Sequence, residues 1–202
     1  SIPNSAAVPT HASPMATAHH TKSSNRIFLL LAALLTLQSL VVSSISVHLL
    51  DVLKLLGIAT ATALAIGMMI GPSQVIARLA EFSVGRNLHP TTSAKAAILL
   101  SGIGIGLLIP AIPSLAFVAM TLYGAGNGIL TIARGTLPLA LFGQDGYGTR
   151  MGLLARPMLV AQAVGPVAAA VILDKLGSTP LLVVMCVLAT ASLIASFGLP
   201  SK

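Results

Sequence analysis

Six long apolar runs divide the chain, at about 27–50, 58–79, 94–110, 114–141, 151–173 and 180–198, and polar residues collect between them. Each run is close to the ~20 residues with which an α-helix spans hydrocarbon. In lipid such a run must be helical, because its backbone groups can only be satisfied internally. The pattern predicts an all-α membrane protein with a six-helix transmembrane domain over residues 26–200. The third run is short and glycine-rich and ends at Pro110, while Pro113 opens the fourth, so a tight, uncharged turn joins them. Residues 1–25, SIPNSAAVPTHASPMATAHHTKSSN, show no periodicity and read as a disordered cytoplasmic tail or inter-half loop. His11, His19 and His20 within it read as solvated rather than metal-binding. The apolar run that follows is too long for a cleavable signal peptide and lacks a clear cleavage site. The chain starts without a methionine, so it reads as a fragment, with Met15 as an alternative start.

Polar residues sort these runs. In the fourth, Tyr123, Asn127, Thr131 and Arg134 recur at spacings of four, four and three, which is one face of a helix. Gly67, Gly71, Gln74 and Arg78 do the same in the second. Thr36, Ser39, Ser43 and Ser46 form a stripe in the first, with Gln38 to one side. Arg156 and Gln162 are the polar members of the fifth. The third and sixth carry nothing stronger than Ser and Thr and suit positions facing lipid.

Arg134 lies inside YGAGNGILTIARGTLP, where a charge is expensive. It is about 12 Å from the end of its run at 1.5 Å per residue. Snorkelling or a structural pair therefore stands beside a cavity role toward an anionic solute or a carboxylate from elsewhere. Asn127 and Gln162 fit hydrogen bonding between helices as well as ligand contact. Gly102/Gly106 and Gly124/Gly128 read as close-packing positions.

Composition narrows the class. The 202 residues are 55% hydrophobic and 7% charged, against about a quarter charged in soluble domains. The net charge of +7 would suggest nucleic acid in a soluble protein, but the eleven basic residues fall almost entirely between the apolar runs and act as topology signals. Lys22, Arg26, Arg78, Arg86, Lys95, Arg150, Arg156 and Lys202 collect on one side, and Lys54 and Lys175 on the other. Both termini of this multi-pass membrane protein are therefore expected in the cytoplasm. Cys186 is the single cysteine, which excludes an internal disulfide and a CxxC metal site.

The acids Asp51, Glu81, Asp145 and Asp174 fall near helix ends, so no carboxylate is available at mid-depth for proton coupling. No Ser/His/Asp, HExxH or paired-carboxylate arrangement supports an enzyme, and no cofactor is expected. GIGIG and GAGNG lack the strand context of a dinucleotide loop. His48, near the outer end of the first run, reads as a solvated end-of-helix residue rather than a proton site.

The helix-by-helix polarity resembles the C-terminal six-helix half of the major facilitator superfamily, in an uncharacterised bacterial subgroup. The loop RLAEFSVGRNLHP matches the family's G-x-x-x-D-R-x-G-R-R at Gly85 and Arg86. The family's Asp falls on Phe82, and the neighbouring Glu81 is its stand-in, paired with Arg78 or Arg150. AQAVGPVAAA resembles the G-x-x-x-G-P-x-x-G-G pattern of family antiporters at Gly165 and Pro166, with Ala161, Ala169 and Ala170 in place of glycines. GNGILTIARGTLPLALFGQDGYG is similar to bacterial members that name no substrate.

The resemblance implies an MFS-type half bundle and secondary active transport of a small solute by alternating access, with efflux as one direction. It places Tyr123, Asn127, Thr131 and Arg134 along a central cavity, with Gln38 and Gln162 beside it. Arg78, Glu81, Gly85, Arg86 and Arg150 would form a cytoplasmic gate. The implied partners are the lipid bilayer, a small-molecule substrate, a coupling proton and an N-terminal six-helix half. The alternative is a non-transporting membrane subunit or an inert truncated product.

Overall fold

The computed structural model describes residues 14–83 and 88–200. Its elements are α1 (Pro14–Leu55), α2 (Thr60–Met68), α3 (Ile70–Ser83), α4 (Pro90–Gly106), α5 (Pro113–Phe142), α6 (Tyr147–Leu176) and α7 (Ser178–Phe197). Five segments are long and apolar enough to cross a membrane: Ser24–Leu55, Thr60–Ser83, Pro113–Phe142, Tyr147–Leu176 and Ser178–Phe197. The surface agrees, since large apolar side chains such as Leu29, Met68, Phe82, Val167 and Phe197 stand exposed on several helices. Contiguous apolar surface of that extent is a liability in water and suits a protein embedded in lipid. The chain has the build of a multi-pass membrane protein.

Two expectations change. α4, the expected third span, has 17 residues and is thus about 25 Å long at 1.5 Å per residue, shorter than the other spans. The described part of the expected disordered tail is helical, because α1 already begins at Pro14. Ala16 and Ala18 favour a helix, and extending an existing helix avoids the cost of nucleation.

Turn chemistry sets the element ends. Gly57 takes φ 81°, and Ile58 N–H bonds back to the Leu53 carbonyl at 3.0 Å, closing α1 in the glycine-terminated manner. The second span is broken at Met69. Pro72 has no N–H to offer the Met68 carbonyl, and its ring crowds that residue, so the helix parts just upstream of it. The uncharged turn between α4 and α5 places Ala111 at φ 60°.

The helices form two three-helix units, α1–α4 (with α2 and α3 as one broken span) and α5–α7. α1 packs on α6 and α7; α5 packs on α3 and α4; and α4 packs on α7. Exchanging the units turns the α1–α6 contact into α5–α3 and the α1–α7 contact into α5–α4, and leaves α4–α7 unchanged. The pairing is thus internally symmetric. Its sequence echo is a Gly-Pro pair in the second span of each unit, Gly71-Pro72 and Gly165-Pro166.

Small residues set how closely the helices approach. A Cβ on Gly128 would come 2.6 Å from the Gln74 carbonyl oxygen, and one on Gly124 would meet Ser73 and Ile70, all in α3. On the opposite side, a Cβ on Gly126 would meet Ala97 and Ser101 of α4, and one on Gly104 would lie 2.6 Å from the Ala119 carbonyl oxygen. α5 is therefore held between two backbones that only glycine admits. One apolar cluster gathers Val41, Ile45, Leu49, Ile66, Met120 and Tyr123, and a second gathers Leu31, Leu34, Leu35, Ile98, Leu130 and Leu137. Gln38 and Ser39 fall between these stretches of α1 and are fully buried.

Candidate functional site

A helix turns about 100° per residue, so the four polar residues of α5 do not stay in one line. Tyr123 and Arg134 return to almost the same azimuth, while Asn127 and Thr131 drift progressively to one side. Burial follows that drift: Tyr123 is 1% exposed, Asn127 and Arg134 are half-buried, and Thr131 is exposed. Side chains lean toward a helix's N-terminus, which tilts Arg134 toward Tyr123 and away from Phe142. That direction is opposite to snorkelling toward the C-terminal end of α5.

Several buried polar atoms of α1 and α5 lack hydrogen-bond partners among the described residues. They are Arg134 Nε and Nη2, the Tyr123 hydroxyl, both ends of the Gln38 amide, and the hydroxyls of Thr36 and Ser39. Ser46 of α1 lies beside the Tyr123 hydroxyl without closing a hydrogen bond. An unsatisfied buried group costs about 1–3 kcal/mol, so polar atoms are not normally kept in such numbers for packing alone. Tyr123 and Arg134 share one side of α5, and Ser46 of α1 lies beside the Tyr123 hydroxyl. Gln38 is buried in the bundle, whereas Gln162 is exposed on α6.

Thr131 has drifted far enough to meet α3. Arg78 Nη2 donates to Gln74 Oε1 at 3.3 Å and to Thr131 Oγ1 at 3.5 Å, and Thr131 Oγ1 donates to the Asn127 carbonyl at 2.8 Å. Arg78, expected at a cytoplasmic gate, is thereby tied to the polar face of α5. The other gate residues are arranged differently. Arg150 Nη1 donates to the carbonyls of Phe142 at 3.0 Å and Asp145 at 2.8 Å, with its guanidinium 5.2 Å from the Phe142 ring centre. It caps the end of α5, whose last carbonyls have no helical partner. Glu81 lines a cleft with Phe82, Leu88, Pro90 and Ser93, and it pairs with neither Arg78 nor Arg150 within 4.0 Å. The expected Glu81 pairing with those two arginines is therefore not made. Gly85 and Arg86 lie outside the described residues.

His48 was underrated by the sequence. Its side chain is 14% exposed, and Nε2 donates to the Pro166 carbonyl across the α1–α6 contact at 2.9 Å. It is a half-buried bridge rather than a solvated helix end. The approach is set by Gly165, where a Cβ would come 2.6 Å from Ser43 Oγ and 3.1 Å from the Leu40 carbonyl oxygen. The available signal was spacing: Leu40, Ser44 and His48 recur every four residues on one side of α1. His48, Asp51, Lys54, Leu55, Ala170, Leu173 and Asp174 line a cleft of about 360 Å³ at that end of the bundle.

Comparison with known proteins finds no matching family model and no similar curated protein.

Proposed function

We propose that this chain is one six-helix half of an MFS-type secondary transporter, which moves a small solute by alternating access. The observation that carries the reading is the internal symmetry of the helix pairing, which we read as an inverted repeat of two three-helix units. The lead helix of each unit, α1 and α5, carries buried polar atoms without partners, among them the Gln38 amide on α1 and the Tyr123 hydroxyl and Arg134 Nε and Nη2 on α5. Transporters built from such repeats place their site near the mid-plane, where the repeats meet. The Gly-Pro pairs in corresponding spans add to this, since interrupted spans in matching positions point to a binding region.

In this reading Tyr123, Asn127, Thr131 and Arg134 line the pathway, and Arg78 acts in the cytoplasmic gate. Both termini are cytoplasmic. Thr131 and Ser46 are exposed on this half, and a second six-helix unit covers them.

The test is solute flux in vesicles carrying the protein together with its second half, screened against a panel of small polar metabolites. The reading predicts a protein-dependent flux of at least one solute that is lost in Arg134→Gln. No flux above that of empty vesicles for any solute, with the protein folded and inserted, favours a non-transporting membrane subunit.

A further inference from the structure

We propose that His48 is a proton-binding site, and that the proton it takes fastens α1 to α6 at one end of the bundle. The Pro166 carbonyl can only accept, so the 2.9 Å contact assigns the hydrogen of a neutral imidazole to Nε2. Nδ1 is then a bare acceptor. The group it faces, Asp51 Oδ2 at 4.0 Å, is an acceptor as well when ionised. Two acceptors stand opposite each other, too far apart for a hydrogen bond, and the arrangement lacks one proton.

A proton delivered from water to Nδ1 supplies it. No other bond forms or breaks. Nδ1–H becomes a donor to the Asp51 carboxylate while Nε2–H stays on the Pro166 carbonyl, so the imidazolium is held at both nitrogens. Charge-assisted bonds of this kind are about twice as strong as neutral ones. Imidazole is the side chain whose charge ordinarily changes between pH 5 and 8.

The surroundings allow the exchange. The cleft of about 360 Å³ is open at the surface, and Asp51 is 60% exposed, so water reaches the pair. The other charged groups lining the cleft are Lys54 of α1 and Asp174 of α6, and Lys175 follows in α6. Lys54, three residues after Asp51, offers that carboxylate an alternative partner when His48 is neutral. The proton thus adds a bond within α1, from Nδ1–H to Asp51, and places a positive charge on the imidazole whose Nε2–H already reaches Pro166 of α6. On the transport reading above, the site would couple proton binding to the position of α1 against α6. That consequence rests on that reading, whereas the proton site itself does not.

The test uses the full chain purified in detergent with ¹⁵N-labelled histidine, and His48→Gln identifies the His48 signals. Glutamine retains an N–H for the Pro166 carbonyl but takes up no proton. The expected result is Nε2 protonated at both pH 8 and pH 5.5, with Nδ1 protonated only at pH 5.5. Acidification over that range should raise Tm by about 2–4 °C more in the wild type than in His48→Gln. Asp51→Asn should remove most of that excess, and it decides the question alone if His48→Gln does not fold. Equal shifts in wild type and both variants, or an Nδ1 without a proton at pH 5.5, overturn the proposal. An absence of solute flux overturns the transport reading and leaves the proton site standing.

Discussion

Tyr123 and Arg134 stand three turns apart on one line of α5, and neither the tyrosine hydroxyl nor Nε and Nη2 of the arginine meets a protein partner. The arginine is therefore not half of a buried ion pair within the described residues. Arg134→Gln should leave Tm unchanged or higher, because it removes an uncompensated charge, while solute flux falls at least tenfold. Breaking a true buried pair would instead cost about 3–5 kcal/mol of stability. Arg134→Lys retains the charge without the planar fork, and should recover only part of the flux. Thermal unfolding and flux measured on the same preparations separate these outcomes.

The glycines that admit α3 and α4 to α5 should tolerate nothing larger. Gly128→Ala and Gly126→Ala each place a methyl group against backbone and should cost about 1–3 kcal/mol. Gly71→Ala meets nothing within 4 Å and should be neutral or stabilising, by up to about 1 kcal/mol. Tm values of the three variants check the contrast.

Arg78 and Thr131 join α3 to α5 through a long contact of 3.5 Å. A double-mutant cycle with Arg78→Gln and Thr131→Val should give a coupling of about 0.5–1 kcal/mol, at the low end for a hydrogen bond. A coupling near zero would mean that Gln74 alone holds Arg78.

Arg150 supports the α5–α6 turn through two carbonyls and the Phe142 ring. Arg150→Ala should lower stability by about 1–2 kcal/mol, reduced from the full value of charged hydrogen bonds because the group is half-exposed. Glu81→Gln, which breaks no ion pair to Arg78 or Arg150, should leave the unfolding free energy within about 0.5 kcal/mol of wild type, as thermal unfolding would show.

Five of the six expected spans were legible because hydrocarbon leaves a run of apolar residues one way to satisfy its backbone. The polar face of α5 was legible from the spacing of Tyr123, Asn127, Thr131 and Arg134. The spacing concealed the slow rotation that buries Tyr123 and hands Thr131 to Arg78. Arg150 and His48 were harder to read, because each is held by a backbone carbonyl. Every residue carries that acceptor, so no pattern of residue types marks it. Arg150 finds Phe142 through the closeness of a hairpin, and His48 finds Pro166 because Gly165 lets two backbones meet. The break at Met69 follows from Pro72, and the apolar pattern of the second run concealed it.

The most direct measurement is water access to the α1–α5 face in intact membranes. Cys186 is the single cysteine, so Cys186→Ala provides a background without thiols. In it, Thr131→Cys and Ser46→Cys should react with a charged, membrane-impermeant thiol reagent. Val118→Cys and Val187→Cys, on apolar exposed positions of α5 and α7, should not. Labelling of the first pair alone is the result expected of a polar pathway. Thr131→Cys and Ser46→Cys as unreactive as the two valine positions would contradict it.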